Sequence, residues 1–240
     1  MRPRHLQIVH LYPDEMNIYG DRGNIITLVK RLEWRGITAG VQELRPGEDL
    51  DLDSTDIVFG GGGQDSGQIV VAGDLMTRRS QLEEAKADGV VMLTVCGSYQ
   101  LLGMSYLAAD GTELPGIGLL CVRTGSGRGR LIGNVEIDTP YGRMVGFENH
   151  GGRTQLEPGQ EPLGRVVKGF GNNGRSGEEG AVSENVFGTY LHGPVLPRNP
   201  RFADELIGRA LLRRYGDADL TGLDDSLERA AAATAGSRPR

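Results

Sequence analysis

The fold is decided by residues 90–103, VVMLTVCGSYQLLG. Residues 90–95 form an apolar run, and the residues that follow Cys96 have the composition of a helix start. This order is typical of a buried strand that leads into a helix. Cys96 would then lie at a sharp strand-to-helix turn, which is the geometry of a nucleophile elbow. Because the positive N-terminal end of a helix favours a thiolate, the segment indicates an enzyme with a cysteine nucleophile.

Short apolar runs alternate with helical patterns on either side of this segment. Strands are predicted at residues 6–11, 37–44, 56–59 and 90–95, and helices around residues 25–32, 66–87 and 199–215. After residue 105 the sequence pattern changes and predicts strands joined by glycine turns, at residues 131–137 and 144–147. The predicted fold is therefore α/β, a three-layer sandwich with a mostly parallel central sheet and added antiparallel strands.

Composition limits the domain organisation and the partners. The chain has 240 residues, a hydrophobic content of 38% and a formal net charge of −6. We predict one domain over residues 1–215 and a partly disordered C-terminal extension over residues 216–240. The negative charge argues against nucleic acid as the main partner. With no apolar run near the ~20 residues of a membrane span and no visible signal peptide, we expect a cytoplasmic protein without membrane insertion.

A cysteine nucleophile needs a base, and histidine is the usual one. His5 and His10 lie on or beside the first predicted strand, which favours structural roles. His150 lies in a polar turn, where it is a candidate substrate contact. His192 follows a short apolar run and precedes a Gly-Pro turn, and since loops at strand ends present catalytic groups, His192 is the favoured base.

Other features have more than one interpretation. The four glycines of residues 60–63 form either a flexible turn or a loop whose N–H groups point at an oxyanion. They are not a P-loop, since no Gly-Lys-Ser/Thr follows. Arg128 and Arg130 form either a solvated basic turn or a binding site for a substrate carboxylate. Cys121 follows two leucines, a context that predicts a buried, inert thiol.

Together, the Cys96 elbow, the glycine loop upstream and the segment YLHGP (residues 190–194) resemble the class I, triad-type glutamine amidotransferases. Within that family they resemble the branch related to cobyric acid synthase. Two stretches are more specific, LYPDEMNIYGDRGN at residues 11–24 and HGPVLPRNP at residues 192–200. Both are similar to the glutaminase subunits of lipid II isoglutaminyl synthase, and the resemblance extends to about residue 215.

The resemblance implies a glutaminase in which Cys96 attacks the side-chain amide of L-glutamine and His192 protonates the departing ammonia. It further implies oxyanion donors at Gly62, Gly63 and Gly97, and glutamine-binding side chains at Arg130 and Gln100. It implies neither a metal nor a cofactor in this chain. ATP and Mg²⁺ are expected on a MurT-type ligase subunit, the partner in a heterodimer, which amidates the α-carboxylate of D-glutamate in the stem peptide of lipid II.

One departure from the family pattern concerns the third member of the triad. The common His-Pro-Glu pattern places a carboxylate two residues after the base, but Pro194 occupies that position here. An orienting carboxylate fixes the tautomer of the histidine and strongly affects the rate. We hypothesise that the partner subunit supplies it, and the internal candidates are Asp14, Asp21 and Glu148.

Two alternative functions remain. One is another amidotransferase related to cobyric acid synthase, or a free-standing glutaminase or peptidase of the same fold; 240 residues leave no room for the ATP-binding domain that cobyric acid synthases carry. The other is a non-catalytic scaffold subunit. The presence of both Cys96 and His192 argues against a scaffold, because a chain that only binds has no chemical need for both.

Overall fold

The computed structural model describes residues 4–108 and 110–237, which contain twelve strands and six α-helices. The strands are β1 (His5–Leu11), β2 (Thr38–Leu44), β3 (Ile57–Gly60), β4 (Val91–Val95), β5 (Ser105–Leu107), β6 (Glu113–Pro115), β7 (Val122–Thr139), β8 (Gly142–Leu156), β9 (Gly164–Lys168), β10 (Glu178–Glu179), β11 (Ala181–Ser183) and β12 (Val186–Thr189). The helices are α1 (Arg22–Glu33), α2 (Asp65–Thr77), α3 (Arg79–Ala87), α4 (Gly97–Leu102), α5 (Pro200–Tyr215) and α6 (Ser226–Ser237).

The first sheet has the strand order β11-β12-β4-β3-β1-β2. All of its neighbouring pairs are parallel except β11 with β12. Every residue of β3, β4 and β12 is buried, as expected for parallel strands covered on both faces. The predicted α/β fold with a mostly parallel central sheet is confirmed.

The second sheet has the order β10-β9-β7-β5-β6, and β8 also pairs with β7. Only the β5–β7 pair is parallel, so the predicted antiparallel addition is confirmed. The hairpin of β7 and β8 is much longer than predicted, because residues 122–130 consist mainly of Gly, Ser, Thr and Arg and lack the apolar alternation of a strand. Its register shifts between Ser126 and Leu131.

The two sheets meet at the loop that follows β12. His192 donates its N–H to Phe147 O at 2.8 Å and accepts the Phe147 N–H at 3.2 Å. Asn199, just before α5, donates from Nδ2 to Val145 O and accepts the Val145 N–H, both at 2.9 Å. The backbone of β8 therefore holds the segment between β12 and α5 from both ends.

The C-terminal segment contains a helix that the sequence did not predict. Residues 226–237 form α6, which contacts β7 and β8, and its alanine-rich sequence has high helix propensity. Asp225, just before α6, accepts a hydrogen bond at 2.7 Å from the buried guanidinium of Arg31, which also binds Asp204. This ion pair ties the segment to α1 and α5. Residues 238–240 lie outside the described residues, and the predicted domain boundary at residue 215 stays a prediction.

Candidate active site

Cys96 lies between β4 and α4 in a strained backbone conformation. Its φ is 51° and its ψ is −103°, in the region that side-chain-bearing residues rarely adopt. The residue is buried, and its N–H donates to Thr189 O at 2.9 Å. The segment quoted first thus forms the predicted elbow, with the start of α4 beside the thiol.

The glycine loop of residues 60–63 packs against this elbow. Ser98 donates its hydroxyl to Gly61 O at 2.7 Å. A Cβ placed on Gly97 would lie 2.9 Å from Gly63 N, closer than such atoms normally approach, so only glycine fits there. In the described part of the chain, neither Gly63 N–H nor Gly97 N–H donates to a protein acceptor.

Gly62 does not fit the predicted oxyanion role. Its N–H donates to Asp21 Oδ2 at 2.6 Å, and a carboxylate is a strong acceptor that a developing oxyanion would have to displace. The reason was not visible in the sequence, because Asp21 comes from the loop before α1. Gly63 and Gly97 remain as the two adjacent candidates for an oxyanion hole.

His192 lies just after β12 with its ring fully buried. Its Nδ1 is 3.7 Å from Oδ1 of Asp21, whose side chain is also fully buried. The other oxygen of Asp21 accepts the Gly62 N–H. One carboxylate therefore faces the base and anchors the glycine loop. With Nδ1 facing Asp21, Nε2 is the ring nitrogen that can interact with Cys96.

The electrostatic environment favours the charged form of His192. Burial by itself lowers the pKa of an imidazole, but the sulfur of Cys96 and the carboxylate of Asp21 outweigh it and raise the pKa of His192. An imidazolium beside a thiolate is the state in which a cysteine nucleophile is ready and a proton is available for the leaving group.

The two other internal carboxylates lie elsewhere. Asp14 forms an exposed ion pair with Arg45 at 2.8 Å. Glu148 is buried, but its two oxygens accept the N–H groups of Phe170 and Gly171 at 2.7 and 2.8 Å. Asp21 is thus the internal candidate at His192, and its position counts against the hypothesis that the partner must supply the orienting carboxylate.

A cavity of about 270 Å³ opens beside Cys96. Its wall includes Gly63, Gln100, Arg130 and His150. The structure therefore brings together most of the residues that the sequence singled out.

The predicted substrate contacts Gln100 and Arg130 have different surroundings. Gln100 accepts a hydrogen bond from Gln68 at 2.7 Å and donates to the Tyr190 hydroxyl at 3.0 Å, so both ends of its amide already bind protein groups. Arg130 is more open, and its guanidinium binds the side chain and the carbonyl of Asn149, each at 2.7 Å. Two of its five N–H donors are thus used to fix the plane of the fork.

Sequence reasoning missed Gln68 and Tyr190, which hold Gln100 in place. Gln68 lies on α2 among residues that lack a clear apolar stripe, and no local signal marks it as part of a site. Cys121 was also predicted wrongly. It is exposed, because it alternates with the buried Leu120 and Val122 and points to the opposite side of the chain.

Within residues 4–108 and 110–237, no group of three or more His, Cys, Asp and Glu side chains is placed to hold a metal ion. None of the described helices has both the length and the apolar composition needed to cross a membrane.

Comparison with known proteins gives a consistent result. Residues 7–200 match the family model of the CobB/CobQ-like glutamine amidotransferase domain. The lipid II isoglutaminyl synthase (glutamine-hydrolyzing) subunit GatD of Staphylococcus aureus is 44% identical over 210 residues, 87% of this chain and 86% of the relative. The subunit of the same name from Streptococcus pneumoniae is 40% identical, over 94% of this chain and 88% of the relative.

The fold itself recurs in a crystal structure of a glutamine amidotransferase. That structure superposes with a TM-score of 0.59 at 16% sequence identity and covers 84% of this chain and 98% of the other. At this identity the likeness concerns the fold alone.

Proposed function

This chain belongs to the CobB/CobQ-like glutamine amidotransferase family, and we propose that it is the glutamine-hydrolysing subunit of a lipid II isoglutaminyl synthase. The observation that carries the proposal is the arrangement of Cys96, His192 and Asp21 beside an open cavity. Its similarity to two subunits of that name, along most of their length, supports the choice of complex.

In the proposed reaction the Cys96 thiolate adds to the side-chain carbonyl carbon of L-glutamine. The carbonyl oxygen becomes negative and lies against the N–H groups of Gly63 and Gly97, which are already held in place. The tetrahedral intermediate then collapses. The C–N bond breaks, the leaving nitrogen takes the proton of the His192 imidazolium, and ammonia and a glutamyl thioester result.

Hydrolysis of the thioester returns the enzyme to its starting state. His192, now neutral, takes a proton from water as the water oxygen attacks the thioester carbon. The second tetrahedral intermediate expels the Cys96 thiolate and releases glutamate. Asp21 keeps Nδ1 protonated and the ring in one orientation throughout. Arg130 would bind the α-carboxylate of glutamine through its planar fork.

The ammonia would serve a partner rather than this chain. In the proposed complex a MurT-type ligase subunit binds ATP and Mg²⁺, activates the α-carboxylate of D-glutamate in the lipid II stem peptide, and forms D-isoglutamine with the ammonia received. L-Glutamine is then the substrate of this chain, while lipid II binds through the partner. The ATP requirement of the ligase makes the cytoplasm the site of the reaction.

The test is glutamate release from L-glutamine by this chain, with and without the ligase subunit. We expect turnover that increases with the partner and falls by about 10³-fold or more in Cys96→Ala. Cys121→Ala is the matched control, since it removes the other free thiol, which is exposed. If neither condition gives turnover while the two chains still assemble, the chain is a scaffold subunit and the proposal is wrong.

A further inference from the structure

His150 is a second buried histidine of the site, and its ring is held rigidly. It is 1% exposed and forms part of the cavity wall. The ring stacks on that of Tyr190, with centroids 3.6 Å apart and planes 7° apart. The Tyr190 hydroxyl is itself bound, to Thr154 at 2.6 Å and Gln100 at 3.0 Å. The direction in which each nitrogen of His150 points is therefore fixed.

The hydrogen bonds of His150 determine its tautomer. Nδ1 lies 2.9 Å from Gly152 O, and since a carbonyl oxygen only accepts, Nδ1 carries the proton. Burial lowers the pKa of His150 to about 3, and the charges of Arg153, His192 and Arg130 act in the same direction. The ring is thus neutral at pH 7, and Nε2 offers a lone pair rather than a proton.

That lone pair has no partner in the described protein. Nε2 of His150 is buried and accepts no hydrogen bond from any group within residues 4–108 and 110–237. A buried polar atom without a partner destabilises a fold, and such atoms are rare unless a ligand satisfies them. The position of His150 in the wall of the cavity beside Cys96 makes the substrate the natural source of a donor.

We propose that Nε2 of His150 accepts a hydrogen bond from an N–H group of bound glutamine and so contributes to substrate selection. The inference rests on the proposed function. Glutamine carries two such groups, the carboxamide NH₂ and the α-ammonium. A fixed acceptor favours ligands with an N–H at that position, because a ligand without one leaves the buried nitrogen unpaired.

Two substitutions distinguish the roles of the two ring nitrogens of His150. In His150→Gln the side-chain oxygen can reach the position of Nε2, whereas in His150→Asn the amide can replace only the donor at Nδ1. We expect His150→Asn to raise the KM for glutamine about tenfold or more, and His150→Gln to recover most of that loss. His10→Asn is the control, since it removes another buried histidine, on β1, that is not part of this cavity wall.

The measurement is KM and kcat in complex with the ligase subunit, together with the Kd of glutamine in the Cys96→Ala background. Two analogues identify the donor: L-glutamate γ-methyl ester lacks the carboxamide NH₂, and glutaramate lacks the α-ammonium. We expect the analogue that lacks the N–H group bound by His150 to bind with the same low affinity to the wild type and to His150→Asn.

Three results would overturn the inference in distinguishable ways. If His150→Asn binds glutamine like the wild type and His150→Gln does not, the residue acts only through the Nδ1 bond to Gly152. If both variants bind like the wild type, Nε2 has no part in recognition. If the wild-type complex releases no glutamate and Cys96→Ala binds no glutamine, the proposed function itself fails.

Discussion

The regions around His192 and His150 form a natural comparison, because both histidines are fully buried and close enough for the charge of one to act on the other. Burial lowers the pKa of both. At His192, Cys96 and Asp21 outweigh burial and raise the pKa. At His150 the surrounding charges are those of Arg153, His192 and Arg130, and the pKa falls to about 3. Near pH 7 the ring of His192 can carry a proton, while the ring of His150 is neutral and its Nε2 can accept a hydrogen bond.

The difference in pKa between the two buried histidines therefore follows from the charges of their neighbours and not from burial. The sulfur of Cys96, and after it the carboxylate of Asp21, account for the raised pKa of His192. The separation of two similar groups by their environments is how one site can provide both proton transfer and fixed recognition.

Replacing Asp21 removes the carboxylate that faces His192, and it has the largest expected effect on activity. In Asp21→Asn the ring of His192 loses its negative partner and Gly62 loses a charged acceptor. We expect kcat for glutamate release to fall by about 10²- to 10⁴-fold, measured in the complex with the ligase subunit.

The control for this substitution is Asp14→Asn, which removes an exposed carboxylate of the same N-terminal segment and should leave kcat nearly unchanged. Undiminished turnover of the Asp21→Asn complex would mean that a carboxylate of the partner orients His192 instead.

The elbow and the proposed third triad residue, Asp21, differ in how far the sequence could predict them. The strand, thiol and helix of residues 90–103 are contiguous, so a local pattern was sufficient. Asp21 meets His192 only because β1, β3, β4 and β12 lie side by side in one parallel sheet, with their carboxyl ends at the same edge. The sequence did not distinguish Asp14, Asp21 and Glu148 as partners of His192, because no local pattern shows which loop reaches the base.

The same distinction holds for the rest of the fold. The central sheet could be predicted because its buried strands are continuous apolar runs. The long β7–β8 hairpin could not, because many of its positions are Gly or Arg and depend on pairing with a partner strand. Helix α6 was missed because its stability depends on contacts with β7 and β8 and on the Arg31–Asp225 ion pair, both made by residues distant in sequence.

The low pKa of His150 makes the stability of the fold depend on pH in the acidic range. Its pKa in the folded chain, about 3, lies below the ordinary value of 6.5. Between these values only the unfolded chain binds the proton, so the native state loses stability as the pH falls, by up to ~1.4 kcal/mol per pH unit. We expect the wild type to lose about 2 kcal/mol more than His150→Gln between pH 6 and pH 4.5.

Urea unfolding at a series of pH values measures this difference. Parallel curves for the wild type and His150→Gln would show instead that His150 is protonated in the folded chain, and Nε2 would then be a donor.

The alkaline limb of the pH–rate profile tests His192 itself, with the smallest expected effect. In the proposed mechanism the imidazolium donates a proton to the leaving ammonia, so kcat/KM should fall once the pH exceeds its pKa in the free enzyme. Asp21 raises that pKa by stabilising the charged ring. The alkaline limb of Asp21→Asn should therefore lie at lower pH than that of the wild type, by about one unit, while Asp14→Asn keeps the wild-type limb.

Because the Cys96 sulfur also raises the pKa of His192, His192 in Asp21→Asn should not become as weak a base as His150. A limb that stays in place while kcat falls would mean that Asp21 orients the ring without setting its charge.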